Sequence, residues 1–172
     1  MAITLDDLER EAFKSGLILR LQVRRPFNIW ALKLVVAQRL QDEKIQILGE
    51  IKAWAYSGVN GLQLDTMRVR PDAPRGVGHL IWLGTMLWAL ENTPCKRARL
   101  LAIRDESKQH SILVRYFLGR GFKAFREVGS SPFDLYLRMI WGGAGLLMVG
   151  ECKKVLSVNQ RLWNIWNLNN NE

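Results

Sequence analysis

Leu62-Gln63-Leu64-Asp65-Thr66-Met67-Arg68-Val69-Arg70-Pro71-Asp72-Ala73-Pro74-Arg75-Gly76-Val77-Gly78-His79 is the stretch that decides the fold. Residues 62–69 read as a strand, the two prolines break it, and the two glycines open a long apolar helix over 77–91. Gly76 and Gly78 let the backbone turn tightly and bring consecutive N–H groups toward one point. The helix behind them adds its positive N-terminal end. In outline this is a cradle for a phosphate or pyrophosphate.

Outward from the cradle, residues 44–56 and 62–69 form a hairpin around Gly58-Val59-Asn60-Gly61. Residues 98–103 are a compact apolar run suited to a central strand, which makes 62–103 a β-α-β unit with parallel strands. Residues 108–119 read as a second helix, 122–128 as a strand and 135–141 as a last strand before a Gly142-Gly143 turn. At the other end, Thr4-Leu5-Asp6-Asp7 starts a short helix ending near Ser15-Gly16. Residues 17–23 read as a strand and 29–41 as a helix with Leu32, Val35, Val36 and Leu40 as its buried stripe.

Two segments in this order resemble the recurring motifs of the GNAT superfamily of acyl-CoA-dependent N-acyltransferases. One is Met67-Arg68-Val69-Arg70-Pro71-Asp72 followed by Arg75-Gly76-Val77-Gly78, Leu80 and Leu83. The other is Val114-Arg115-Tyr116-Phe117-Leu118-Gly119-Arg120-Gly121-Phe122-Lys123, a helix and Gly-Phe turn at a suitable distance downstream. The resemblance spans residues 62–141 and implies an α/β (α+β) fold, a mixed central sheet flanked by helices. It also implies acetyl-CoA as cosubstrate, an unknown amine of a small molecule or protein as acceptor, and direct attack without a covalent intermediate. Arg75, Gly76, Val77, Gly78 and His79 would hold the pyrophosphate, and backbone groups of Met67 and Val69 would align the pantetheine arm. Asp65 and His79 are the candidate catalytic bases, with Glu50 and Glu106 weaker ones.

The chain departs from the family pattern at three positions. Ala73 stands where Gln or Arg is frequent, His110 where an Asn is common, and Phe117 where a Tyr often protonates the leaving thiolate. Tyr116 is one residue away, and adjacent helical side chains point about 100° apart, so it is expected on another surface. These departures keep open an alternative, a catalytically degenerate module of the same fold that docks on a protein or membrane.

With 172 residues and 48% apolar content the chain suits one domain over residues 1–154, followed by an amphipathic helix and disordered tail over 155–172. Trp163 and Trp166 on that helix could cover the core or dock on a membrane surface or a partner. Trp30, Trp54, Trp82, Trp88 and Trp141 are expected to be buried. The acidic start lacks a signal peptide's pattern and the apolar run 139–150 is too short to span a bilayer, so a cytoplasmic location is expected. Two cysteines and two histidines lack metal-ligand spacing, so no metal is expected. The net charge of +9 is spread along the chain, with no visible nucleic-acid footprint.

Overall fold

The computed structural model describes residues 2–104, 109–141 and 143–170; Glu106 and the side chain of Trp141 fall outside that range. In chain order the elements are α1 (Leu5–Lys14), β1 (Leu17–Arg24), β2 (Trp30–Arg39), β3 (Ile45–Ala55), β4 (Leu62–Val69), α2 (Arg75–Asn92), β5 (Arg97–Ile103), α3 (Gln109–Gly119), β6 (Lys123–Val128), α4 (Leu135–Trp141), β7 (Gly145–Glu151) and α5 (Cys152–Asn170). Short 3-10 turns at Pro26–Asn28 and Pro132–Asp134 join β1 to β2 and β6 to α4. The strands form one mixed seven-stranded sheet in the order β1-β2-β3-β4-β5-β7-β6, and β4 and β5 run parallel as the β-α-β pattern requires.

α2 is apolar almost all round because it is covered almost all round. Val77, Leu80, Ile81, Trp82, Leu83, Met86, Leu87 and Trp88 are buried, facing Leu34, Ile51, Leu62 and Leu100 of the sheet, with α1 and α5 closing over the outside. Each such aliphatic side chain contributes about 1.5–3 kcal/mol on leaving water. Gly49 lets α2 lie close: a Cβ there would come within 2.9 Å of Ile81 and 3.0 Å of Val77.

Two features of β4 position everything that follows. Lys52 pairs with Thr66 but the next residue, Ala53, pairs with Leu64, so Asp65 is an extra residue bulging from the strand. On its other side β4 pairs with β5 only at Leu62–Ala98 and Gln63–Arg99. Beyond Gln63 the two strands part, leaving the β4 edge from Asp65 to Val69 free of β5.

Three expectations are corrected. Residues 29–41 are a strand, not a helix: Leu32, Leu34 and Val36 face α2 in strict alternation, and pairing with both β1 and β3 outweighs the helical propensity of Ala, Leu, Lys and Gln. Residues 135–141 are helix α4, and the last strand is instead the Gly-rich β7. There Gly145 and Gly150 mark close backbone approach, since a Cβ would meet Ala102 O at 2.2 Å or the Phe122 ring at 2.9 Å. Trp54, expected in the core, is 41% exposed on the opposite sheet face.

α5 settles the place of the tail tryptophans. Trp163 is fully buried, its Nε1–H donates to Glu11 of α1 at 3.1 Å, and it stacks on half-buried Trp166 at 5.1 Å between ring centroids. Trp163 is therefore core and has no surface to offer a membrane or partner. The helix continues to Asn170, through much of the stretch expected to be disordered. No helix among the described residues is long and apolar enough to cross a membrane.

Candidate functional site

A cavity of about 680 Å³ opens where β4 leaves β5, between the start of α2 and the face of α3. Met67 and Val69 of β4 form one wall, Arg75, Gly78 and His79 of α2 a second, and Tyr116, Phe117 and Arg120 a third, with Leu162 of α5 closing the end. Five residues assigned to cosubstrate binding by resemblance, Met67, Val69, Arg75, Gly78 and His79, thus share one cavity. Gly76 and Val77 do not line it. Val77 is fully buried against the sheet, and Gly76 lies under Trp166, whose indole carbons would be 2.6–2.8 Å from a Cβ placed there.

The helix N-terminus at the cavity is unquenched. Pro74 at the cap position offers no side-chain bond, and there is no acid in the first turn. The N–H groups of Arg75 and Gly76 precede the first i→i−4 bond, while Val77 N–H turns back to Pro74 O at 3.0 Å. The loop before it is held by Arg70, which grips both carboxylate oxygens of Asp72 at 2.8 and 2.9 Å.

Arg120, one residue past the end of α3, reaches back into this corner. Its guanidinium lies over the Tyr116 ring at 4.8 Å, and Nη1–H donates to His79 Nδ1 at 2.6 Å and to Oδ1 of buried Asn159 at 2.9 Å. Because arginine only donates, His79 Nδ1 must be the unprotonated nitrogen, and the ring proton sits on Nε2. Burial, with the charges of Arg120 and Arg75 beside it, holds the His79 pKa at about 4. His79 is therefore neutral at ordinary pH with its basic lone pair engaged, an arrangement suited to orienting Arg120 rather than to removing a proton. Among the described residues neither Arg75 nor Arg120 has an acid partner, so the cavity carries uncompensated positive charge.

Tyr116 corrects the helix-face expectation. Both Tyr116 and Phe117 line the cavity, and Trp82 Nε1–H donates to Tyr116 Oη at 2.9 Å, so the hydroxyl keeps its own proton to give. Oη lies 3.8 Å from the Cβ position of Gly78, next to the helix N-terminus. Asp65 is not a wall of this cavity. It is the exposed bulge residue at the parting of β4 and β5. Ala73 lines the cavity without a polar group, Glu50 pairs with Lys33 at 3.2 Å, and His110 Nδ1 is 3.2 Å from Ile103 O, tying α3 to the end of β5.

Sequence reasoning missed Arg120, Leu162, Asn159 and Trp166 as parts of this corner. Arg120 carried a usable signal, its place four residues after Tyr116 and just beyond the end of an assigned helix. The α5 residues carried none, because their place depends on a contact between distant parts of the chain.

No protein-family model matches the sequence, and no curated protein matches it. Among solved structures, apo FdhC, a nucleotide-linked sugar GNAT, superposes with a TM-score of 0.52 at 6% identity. The match covers 77% of this chain, which spans only 63% of that one. Nourseothricin acetyltransferase matches at a TM-score of 0.49, 13% identity and 82% and 93% coverage of the two chains. An aminoglycoside 6′-N-acetyltransferase complexed with coenzyme A matches at 0.42, 15% identity and 70% and 73% coverage. The last two superpose too loosely to support an argument. The first is a likeness of fold: this chain has the GNAT fold.

Proposed function

We propose that this protein is an acyl-CoA-dependent N-acyltransferase that moves an acetyl group from acetyl-CoA to an amine by direct attack. The observation that carries the proposal is the uncapped, doubly arginine-flanked start of α2, facing a cavity that runs along the free edge of β4. An anionic, elongated ligand matches that combination. The N–H group of Arg75 and the charges of Arg75 and Arg120 would hold the pyrophosphate. The β4 backbone at Met67 and Val69 would pair with the pantetheine arm.

The thioester would then enter the gap between β4 and β5, with Asp65 on its far side. The amine nitrogen attacks the thioester carbon, the new N–C bond forms as the C–S bond breaks, and the amine's proton passes to Asp65. Tyr116 gives its hydroxyl proton to the departing thiolate. His79 acts as a positioning residue for Arg120.

The test is thermal unfolding with and without acetyl-CoA. At about 100 times its dissociation constant the ligand adds about 2.7 kcal/mol, which for a chain of this length raises Tm by about 5–10 °C. Arg75→Glu, a substitution in the first turn, should remove the shift while the ligand-free protein still melts cooperatively. No shift in the wild type, or an equal shift in the variant, overturns the proposal. A wild-type shift licenses an acceptor screen read by free thiol release.

A further inference from the structure

Cations that are dispersed in the sequence are gathered by strand register onto the sheet face opposite α2. One row crosses all seven strands: Arg24 opposite Ala31, then Trp54, Gln63, Arg99, Val149 and Lys123. At about 4.8 Å per strand the row is about 29 Å long. Lys33 and Lys52 face each other directly in the next row, a like-charge pair that Glu50 relieves at Lys33 and that leaves Lys52 without an acid partner among the described residues. Among the described residues the acids on this face include Glu50, which takes Lys33 at 3.2 Å, Asp65 at the bulge, Glu151, which sits opposite Arg97, and Asp134, which takes Arg126 at 2.7 Å.

This face is bare over β1 to β4 because β1 and β2 are joined by only the Pro26–Asn28 turn, and α1, α2 and α5 all lie on the other side. At its centre the Trp54 indole is 41% exposed beside a cleft of about 470 Å³ walled by Gln22, Arg24, Pro26, Lys33 and Lys52. Farther along the row Arg99 is half-buried, and its enclosed Nε has no hydrogen-bond partner among the described residues.

We propose that this face binds single-stranded nucleic acid. Charge alone would suit any polyanion, but an exposed indole set within a line of cations matches a chain of phosphates carrying flat bases. The indole stacks a base while Arg24, Lys52, Arg99 and Lys123 meet phosphates. An acidic peptide has the charge without the stacking surface. The site lies across the sheet from the cavity's arginines and meets the acyl-transfer proposal at Asp65, and its test reads binding and not turnover.

The experiment is fluorescence anisotropy of a 5′-labelled single-stranded 12-mer oligouridylate titrated with the full protein. Four phosphate contacts at about −0.7 each give a slope of log affinity against log salt near −2.8, so affinity should fall about fiftyfold between 50 and 200 mM KCl. Trp54→Ala should weaken binding by about 5- to 100-fold through lost stacking. Arg24→Glu with Lys52→Glu should abolish it while leaving the melting temperature and the acetyl-CoA shift in place. Lys14→Glu with Arg161→Glu makes the same charge change on exposed helix positions off this face and should leave binding within about threefold of wild type once the general loss of positive charge is included. The proposal is overturned if the 12-mer fails to bind at 50 mM KCl, if the off-face pair weakens binding as much as the face pair, or if polyglutamate competes as well as unlabelled oligouridylate.

Discussion

Substituting alanine at Gly76 and at Gly78 should have opposite effects on stability, although the two residues are one apart from the same neighbour, Val77, in the same first turn. Both have ordinary helical backbones, since among the described residues the positive-φ glycines are Gly16 and Gly121. A methyl group gives each position the same gain of at most about 1 kcal/mol in helix propensity. At Gly78 its nearest contact would be Tyr116 Oη at 3.8 Å, ordinary packing; at Gly76 it would drive into the Trp166 ring at 2.6–2.8 Å. Overpacking of that kind costs about 1–3 kcal/mol. The propensity gain cancels between the two variants, so Gly76→Ala should melt about 2–12 °C below Gly78→Ala. Circular dichroism melts and urea titrations measure the difference, and repeating both in a Trp166→Ala background should close it. Equal melting temperatures, or a gap that survives removal of the indole, would refute the account of how α5 seats on α2. The ligand response should run the other way. Gly78→Ala folds well but puts its methyl in the cavity, so its acetyl-CoA shift should shrink.

Asp65→Asn should lower kcat by about 10²- to 10⁴-fold with little change in the acetyl-CoA melting shift; an unchanged rate with saturating substrates removes Asp65 from the mechanism. Tyr116→Phe should slow turnover similarly and also lower stability by about 1–3 kcal/mol, because Trp82 Nε1–H loses its acceptor. His79 makes stability depend on pH. Its folded pKa of about 4 lies below the ordinary 6.5, so the unfolded chain binds the proton more readily between those values. Its contribution is therefore complete above pH 6.5 and is lost as pH falls toward 4. The ceiling is about 3 kcal/mol at about 1.36 per pH unit, and hydration of the partly enclosed ring leaves about 2. His79→Gln, which can still accept from Arg120, should flatten that limb of a urea-stability profile, and a parallel profile would show that other groups cause it. Deleting residues 155–172 should leave a chain that aggregates or melts without cooperativity, since Val155 and Trp163 are core; a well-folded truncation would contradict the packing described.

The legible part of the chain was the part whose signals are local. The strand, double glycine and apolar helix from Leu62 to Asn92 announce themselves in consecutive residues, as does the Gly-Phe turn after α3. What failed was decided by partners. Trp-Ala-Leu-Lys-Leu-Val-Val at residues 30–36 fits both a helix stripe and an alternating strand, and only the flanking β1 and β3 select the strand. Gly145 and Gly150 stand in β7, where neighbours crowd the backbone, and no local signal in residues 145–151 marked that stretch as the last strand. In the site, the cosubstrate residues near Gly78 were legible as a motif. Arg120's grip on His79 and the line of cations from Arg24 to Lys123 were not, because each is assembled by register or helix docking between segments far apart in sequence.

The seating of α5 also governs when the molecule can become complete. Trp163 bonds to Glu11, and Ser15 Oγ bonds to Asn167 Oδ1, each across 152 residues of chain. During synthesis α1 emerges early with an apolar face, Leu8 and Ala12, that has part of its cover still unmade. Contacts of such separation form slowly and late, so a nascent chain carries α2 half-clad and its cavity lacking one end until residues 152–170 have been made. Stalled chains ending before Cys152 should therefore be sensitive to protease and bound by chaperones, and protection should appear abruptly once α5 clears the ribosome.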